Sequence, residues 1–141
     1  MKPMTRDRAL EFLQEGTRTG NIATVREDGR PHVVPVWFVL EGDDVLFTTW
    51  HTSVKARNLD REGRAAMSVD VPDPPYAYLL VEGPVTIVAD PEESRRVATA
   101  AGARYMGEDR AEEFGRRNGV EGELVVRLHI EHFVGADDMA G

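Results

Sequence analysis

Apolar and polar residues alternate in short runs along most of the chain, and clusters of turn residues separate these runs. Six runs rich in β-branched and aromatic residues predict strands: about 20–26, 32–40, 45–50, 64–71, 76–88 and 122–130. Asp28-Gly29 and the cluster at 41–44 predict antiparallel hairpins between the first three of them. Gly83-Pro84 interrupts the longest run, where we expect a bend or bulge.

Four other stretches carry a helical period: 5–15, 53–61, 90–107 and 109–117. Asp90-Pro91 is the clearest predicted N-terminus of a helix, because aspartate is a favoured N-cap, proline suits the first helical position and acidic residues follow. Antiparallel turns with helices inserted late favour a mainly β fold and a barrel rather than an alternating βαβ sheet. The same periodicity also fits a β-sandwich. The length predicts a single domain over residues 1–141.

The composition narrows the chemistry and the partners. The chain has no cysteine, which excludes thiol nucleophiles, disulfides and thiolate metal sites, so redox chemistry needs a bound cofactor. The net charge of -8 argues against a nucleic-acid partner, because phosphate backbones bind basic surfaces. No apolar run approaches the roughly 20 residues that cross a bilayer, and the N-terminus lacks the features of a signal peptide. We therefore expect a cytoplasmic protein with no membrane partner.

One segment concentrates positive charge in this acidic chain. In LFTTWHTSVKARNL, residues 46–59, a strand ends at paired threonines and a helix begins that carries Lys55, Arg57 and Asn58. A helix N-terminus exposes unpaired N–H groups and the positive end of the dipole, which favours an anion such as phosphate. On its own, however, such a segment is more often a solvated helix face, because exposed lysine and arginine are common.

The context of this segment changes the interpretation. The order of elements, the phrase AT-x-R-x-D-G-x-P from Ala23 to Pro31, and K-x-R-N-L from Lys55 to Leu59 resemble the pyridoxamine 5'-phosphate oxidase-like, FMN-binding split-barrel superfamily. The resemblance covers nearly the whole chain. It implies a mainly β split β-barrel, with six or more antiparallel strands in a Greek-key-like order and short flanking helices. It also implies a homodimer that holds its cofactor at the subunit interface.

The resemblance implies a set of cofactor contacts as well. The phosphate would be held by the corner after the third strand, the ring system would lie beside the second strand, and the strand after the Pro-rich loop would approach the cofactor across the dimer. The residues implied are Thr48, Thr49, Trp50, Ser53, Lys55, Arg57, Asn58, Val34, Pro35, Val36 and Tyr78. By analogy, the cations nearest to the cofactor's acidic tail would be Arg104, Arg116 and Arg117.

Two features of the basic segment bear on the identity of the cofactor. FMN-using oxidases of the superfamily typically place an arginine immediately before the lysine, where this chain has Val54, and K-x-R-N-L looks like the branch that uses the deazaflavin coenzyme F420. This comparison favours F420, with FMN as the alternative. The implied activity is hydride transfer from reduced F420 to a small or medium-sized conjugated organic substrate.

Two other functions stay open at this stage. One is an FMN-dependent flavin reductase or pyridoxamine-phosphate-oxidase-like enzyme, and the other is an F420-binding carrier without turnover. The sequence offers no defensible catalytic constellation of side chains, so no catalytic residue is assigned. His129 and His132 are three apart at a strand end and point to opposite faces, so we expect no metal there.

Overall fold

The computed structural model describes residues 1–141, which form nine strands and four α-helices. The strands are β1 (Lys2–Pro3), β2 (Gly20–Val25), β3 (Pro31–Val36), β4 (Val39–Glu41), β5 (Asp44–Trp50), β6 (Arg64–Val71), β7 (Ala77–Val88), β8 (Glu123–His129) and β9 (His132–Asp137). The helices are α1 (Arg6–Gln14), α2 (Val54–Glu62), α3 (Pro91–Met106) and α4 (Ala111–Asn118), and a short 3-10 turn precedes α4. None of these helices has the length and apolar character needed to span a membrane.

The strands form one curled sheet in which every pairing is antiparallel. Their order is β3-β2-β6-β7-β8-β5-β4, and β9 pairs with β7 while β1 pairs with β9. The predicted fold class, a mainly β split barrel of six or more antiparallel strands with short flanking helices, is confirmed, and the sheet curls into a half-barrel. The curl leaves β3 and β4 as its two edges, and only Trp37 and Phe38 separate these strands in the chain.

The long strand β7 connects the two parts of the curl. Its first half pairs with β6 and β9, whereas Val85 to Val88 pair with β8. The partner changes at Gly83, where a Cβ atom would lie 1.9 Å from the carbonyl oxygen of His129. Only glycine permits this approach of two backbones, so Gly83 marks the place where the neighbour of β7 changes from β9 to β8, and the bend or bulge expected at Gly83-Pro84 stays a prediction.

Apolar side chains inside the curl form the main core. Phe12 and Leu13 of α1 pack into it, and Thr5 caps that helix, since its side chain accepts a hydrogen bond from the Arg8 amide. Phe38, Phe47 and other large residues of the strands fill the centre. Helices α3 and α4 lie outside the curl, with Val97 of α3 packed against the outer face of β5 and β8.

Two features of the strands differ from the sequence prediction. The run predicted as one strand over 32–40 is broken after Val36, because Phe38 enters the core while Trp37 turns outward to stack on the ring of Tyr105 in α3. The strand β9 was not predicted. It pairs with β7 from Tyr78 to Glu82, so its neighbour lies about fifty residues earlier in the chain.

Candidate cofactor-binding site

The end of β5 and the beginning of α2 form a corner whose side chains are held by hydrogen bonds. The Ser53 hydroxyl accepts a hydrogen bond from the Ala56 amide at 3.2 Å and lies 2.9 Å from the Thr49 hydroxyl. Further along α2, the buried Asn58 amide nitrogen donates to Thr24 Oγ1 at 3.0 Å, which ties the helix to β2. Gly63 ends the helix in the left-handed conformation that favours glycine. The corner is therefore a rigid platform.

Three side chains of this platform remain available to a ligand, and we call them the basic corner: Thr48, Lys55 and Arg57. Thr48 and Lys55 face a cavity of about 240 Å³, and Arg57 is exposed beside it. Neither cation forms an ion pair within the chain. The amides of Val54 and Lys55 lie in the first turn, where no intrahelical acceptor exists, so the basic corner also presents backbone donors. The arrangement suits an anion.

Burial shapes the charges at the cavity. Lys55 is half-buried, and this burial lowers the pKa of its ammonium group, while the negative charge of Glu123 opposes the shift. Burial likewise raises the pKa of Glu123, and Lys55 opposes that shift. Lys55 and Glu123 are the two charged residues in the cavity wall. A bound phosphate would stabilise the charged form of Lys55, because an opposite charge nearby favours ionisation.

His32 supplies an independent test of whether a polar ligand fits here. It is the cross-strand neighbour of Thr24, and its Nδ1 atom is enclosed without a hydrogen-bond partner. Burial lowers its pKa, and the positive charges of Arg26 and Lys55 lower it further, which places His32 beside the basic corner. An unpartnered buried polar atom costs about 1–3 kcal/mol. Such a cost is expected where a ligand supplies the missing partner, so the residues present fit a phosphorylated cofactor.

The opposite wall of the cavity is aromatic and aliphatic. Trp37 stacks on Tyr105, with ring centroids 5.1 Å apart, and meets Phe114 of α4 edge to face at 5.5 Å. The wall also contains Val97, Ala98 and Ala101 of α3, and Asn118 of α4. Pro35 and Val36 of the edge strand β3 complete the rim. The cavity thus has a polar end at α2 and an apolar wall that excludes water.

The structure brings together several of the predicted contact residues but not all of them. Thr48, Lys55, Pro35 and Val36 line the same cavity. Ser53 and Arg57 lie at its polar end on α2.

Three predicted contacts face into the protein instead. Thr49 and Asn58 are each only 3% exposed and bond to Ser53 and Thr24, so we reassign them from cofactor contact to support of the helix. Val34 packs against the main core, because its neighbours across β2 are buried.

Trp50, Tyr78 and Arg104 do not reach the cavity of the same protomer. Trp50 meets His51 edge to face, with centroids 4.8 Å apart, and covers Gly122. Tyr78 lies on the outward face of the sheet. Arg104 points to the other side of α3, where its guanidinium donates to the carbonyl groups of Leu13, Gly16 and Phe38. Arg104 therefore secures the end of α1 and does not line the cavity, and its place near a cofactor's acidic tail stays a prediction.

Sequence reasoning missed Glu123 and gave His32 no role. Glu123 opens β8 and sits directly opposite Trp50 in the pairing of β5 with β8. An acid at the start of an apolar strand was a visible signal, but its position near Lys55 depends on the register of strands far apart in the chain. His32 follows the D-G-x-P turn, and only the pairing with Thr24 shows that it faces α2.

Comparison with known proteins adds a family to this geometry. A profile of the pyridoxamine 5'-phosphate oxidase family matches residues 5–134. An F420 reductase of known structure is 34% identical, covers 87% of this chain and 94% of its own, and has a TM-score of 0.69. A conserved hypothetical protein from Mycobacterium tuberculosis, Rv2991, is 25% identical over 97% of this chain and 87% of its own, with a TM-score of 0.83. An FAD-binding protein from Mycobacterium smegmatis, 18% identical over 96% and 98% of the chains with a TM-score of 0.62, shares the fold. No curated protein sequence matches the chain.

Proposed function

The chain belongs to the pyridoxamine 5'-phosphate oxidase family, and we propose that it is an oxidoreductase that transfers a hydride from reduced coenzyme F420 to a small or medium-sized conjugated organic substrate. The observation that carries the proposal is the basic corner, where a half-buried lysine without an ion-pair partner and an open helix start meet at the polar end of a cavity whose other wall is apolar. The 34% identity to an F420 reductase supports deazaflavin as the cofactor.

The residues of the chain divide the work of binding and positioning. Lys55 and the free amides of α2 would hold the phosphate through charge-assisted hydrogen bonds, and Arg57 would add a second cation at the surface. Pro35 and Val36 at the sheet edge line the cavity and would border the ring system. A bound deazaflavin would supply the hydride, so no covalent protein residue is required.

The apolar wall defines what the cavity accepts as a substrate. Val97, Ala101 and the Trp37–Phe114 aromatic pair offer no charge to a ligand, and they keep water away from the reacting atoms. A planar conjugated molecule suits this surface, because aromatic side chains pack well against flat rings. Binding such a substrate beside the cofactor gives the proximity and orientation that hydride transfer needs.

Titration with oxidised F420 tests the binding part of the proposal. We expect saturable quenching of the coenzyme's own fluorescence. With reduced F420 and a panel of conjugated acceptors, we expect the absorbance of oxidised F420 to return only in the presence of enzyme. Absence of saturable binding would contradict the proposal. A yellow protein with a flavin spectrum would support FMN instead, and binding without turnover on any acceptor would support a carrier.

The outward face of the sheet supports a homodimer. In the antiparallel pairing, Val33 lies opposite Ala23 and Ala23 opposite Ala66, so the three side chains share one face. Leu80 and Val134 form a second apolar row on the same face. Val33 is 63% exposed and Val134 54% exposed in the single chain. Ser68 and Glu82 also lie on this face, opposite Leu80 and Ala66. Exposed apolar side chains among polar ones are typical of an interface, and we propose that a second copy covers this face.

Tyr78 lies on this same outward face, one alternation along β7 from Leu80. In the proposed dimer it would face the other subunit, as expected for a residue that approaches the partner's cofactor. Size-exclusion chromatography with light scattering should give a dimer for the wild type and a monomer for Val33→Glu. The control variant Val88→Glu places the same charge at an exposed valine of a different strand, β7, and this variant should stay dimeric. A monomeric wild type would contradict the proposed dimer.

A further inference from the structure

Glu123 is an unexpected neighbour for a phosphate site. Its side chain lies on the same face of the sheet as Thr48, and both line the cavity together with Lys55. The Glu123 carboxylate forms no hydrogen bond or ion pair within the chain, whereas its backbone carbonyl accepts a hydrogen bond from Ser94 at 2.8 Å. A half-buried carboxylate thus points into a site that otherwise attracts anions.

The charges inside the cavity therefore balance closely. Lys55 is the only cation in its wall and Glu123 the only anion. Burial disfavours the charged form of both residues, which lowers the pKa of Lys55 and raises the pKa of Glu123. The opposite charge of the other residue favours the charged form in each case. His32 adds no positive charge near neutral pH, because burial and its cationic neighbours lower its pKa. Arg57 contributes a cation from outside the cavity.

This balance separates two kinds of phosphate. A phosphomonoester such as FMN carries nearly two negative charges at pH 7, because its second pKa is about 6. A phosphodiester such as that of F420 carries one. Inside the cavity Lys55 is the only cation, so the second charge of a monoester would have only the exposed Arg57 outside the cavity to balance it, and it would be repelled by the Glu123 carboxylate in the cavity wall. Like charges close together in a partly buried site repel strongly, which makes such repulsion an effective way to reject a ligand.

We propose that Glu123 is a specificity-determining residue whose carboxylate lets the basic corner hold a singly charged phosphodiester and reject a doubly charged phosphomonoester. This inference rests on the proposed function, since it explains why the site would take F420 rather than FMN. It assigns no step of the reaction to Glu123. It assigns the choice between two cofactors with similar ring systems to one carboxylate.

The test uses Glu123→Gln, which removes the charge and keeps the size and polarity of the side chain. Affinities for FMN, riboflavin and F420 are measured by fluorescence quenching at fixed ionic strength and pH 7.5. We expect FMN to bind at least tenfold more tightly to the variant than to the wild type. Riboflavin, which lacks the phosphate, should change less than twofold, and F420 less than threefold.

Two further variants make the test selective. Glu121→Gln removes a charge from an exposed acid outside the cavity and should change none of the affinities. Glu123→Asp keeps the carboxylate and should still reject FMN, so it separates charge from packing. Thermal melting checks that each variant is folded.

The two proposals fail in different ways. Equal gains for FMN and riboflavin, or no gain for either in folded Glu123→Gln protein, would overturn the role of Glu123. If the wild type shows no saturable binding of F420, the proposed function fails, and the ratio of FMN to riboflavin affinity still tests the charge effect. A tenfold gain for FMN alone would support the inference in either case.

Discussion

Two helices of this chain begin in opposite ways. Helix α3 has Asp90 as its N-cap, with Oδ1 accepting from the Glu92 amide at 3.0 Å, and Glu92 and Glu93 follow in its first turn. Helix α2 has Ser53 as its N-cap, no acid in its first turn, and Lys55 in that place. The start of α3 therefore adds negative charge to the positive end of the helix dipole, whereas the start of α2 adds positive charge to it.

The difference shows which helix start is complete without a ligand. Acids near an N-terminus stabilise a helix, and a cation there opposes the dipole, by about 0.3–1 kcal/mol in either direction. The acids of α3 therefore stabilise it locally, and Glu93 also pairs with Arg96. The start of α2 keeps Lys55 half-buried without an ion pair, beside the unpartnered Nδ1 of His32. An anion from outside the chain would supply the charge partner that Lys55 lacks.

Replacing Lys55 with alanine should have the largest effect on cofactor binding. Loss of one charge-assisted hydrogen bond costs about 1–3 kcal/mol, which corresponds to a roughly 5- to 150-fold weaker affinity for F420. Arg95→Ala is the matched control, because it removes an exposed cation from α3. Fluorescence titrations of both variants check the difference. Equal affinities would mean that the two helix starts do not differ in function.

Making the start of α2 resemble that of α3 should have the next largest effect. Val54 is 47% exposed in the first turn of α2, so Val54→Glu adds an acid there without disturbing the core. We expect F420 affinity to fall roughly tenfold, about 1.4 kcal/mol, while the melting temperature stays equal or rises because the acid suits the dipole. Val54→Gln has the same shape without the charge and serves as the control. Unchanged binding in Val54→Glu would exclude this helix start as the anion site.

Removing the two N-caps should have similar effects on stability and different effects on binding. Ser53→Ala and Asp90→Ala should each lower the free energy of unfolding by about 1 kcal/mol, because each leaves a helix amide without its acceptor. Only Ser53→Ala should also weaken F420 binding, by a few-fold, since it loosens the platform that holds Lys55. Urea unfolding and titration of the same samples check this. A matching loss of binding in Asp90→Ala would contradict a local role for Ser53.

Lowering the pH should reduce the stability of the fold through His32, near the start of α2, and through Glu93, in the first turn of α3, over two different pH ranges. These effects should be the smallest of the series. The folded chain holds the pKa of His32 below its usual value of about 6.5, so the unfolded chain takes up that proton first and stability falls as the pH drops below about 6.5. Arg96 lowers the pKa of Glu93, so the contribution of Glu93 to stability is present above the ordinary pKa of 4.5 and is lost as the pH falls from there through the lower pKa of the folded state. Melting curves of wild type and His32→Gln across pH 5–7 check the first window. Identical curves would contradict it.

Local sequence signals predicted much of the fold. Asp90-Pro91 predicted the start of α3 correctly, because a helix start depends on residues that are adjacent in the chain. Gly83-Pro84 marked the place where β7 changes its neighbour, although the contact there is with the distant His129. The position of β9 beside β7 could not be predicted in this way, since strand pairing across a long separation depends on how the whole sheet closes. The break at Trp37 depends on a ring in α3, Tyr105, that is equally distant in sequence.

The candidate site was predictable to the same extent. The basic character of α2 and its Ser53 cap are local and visible in the sequence, but only the resemblance to a known family turned Lys55 and Arg57 into predicted cofactor contacts. Local sequence does not show whether a polar residue faces a ligand or the protein itself. Thr49 and Asn58 illustrate this, because inside the fold they form hydrogen bonds with Ser53 and Thr24. Glu123 reaches the cavity only through the register of β8 with β5.

We propose above all that the start of α2 binds the phosphate of a deazaflavin cofactor. The most direct measurement compares the affinity of the wild-type protein for F420 with its affinity for F0, the deazaflavin alcohol that lacks the phosphate and the acidic tail, and repeats both titrations with Lys55→Ala. We expect the wild type to bind F420 at least tenfold more tightly than F0, and we expect Lys55→Ala to remove most of this preference. Equal affinities of the wild type for F420 and F0, or a preference that survives in Lys55→Ala, would contradict the proposal.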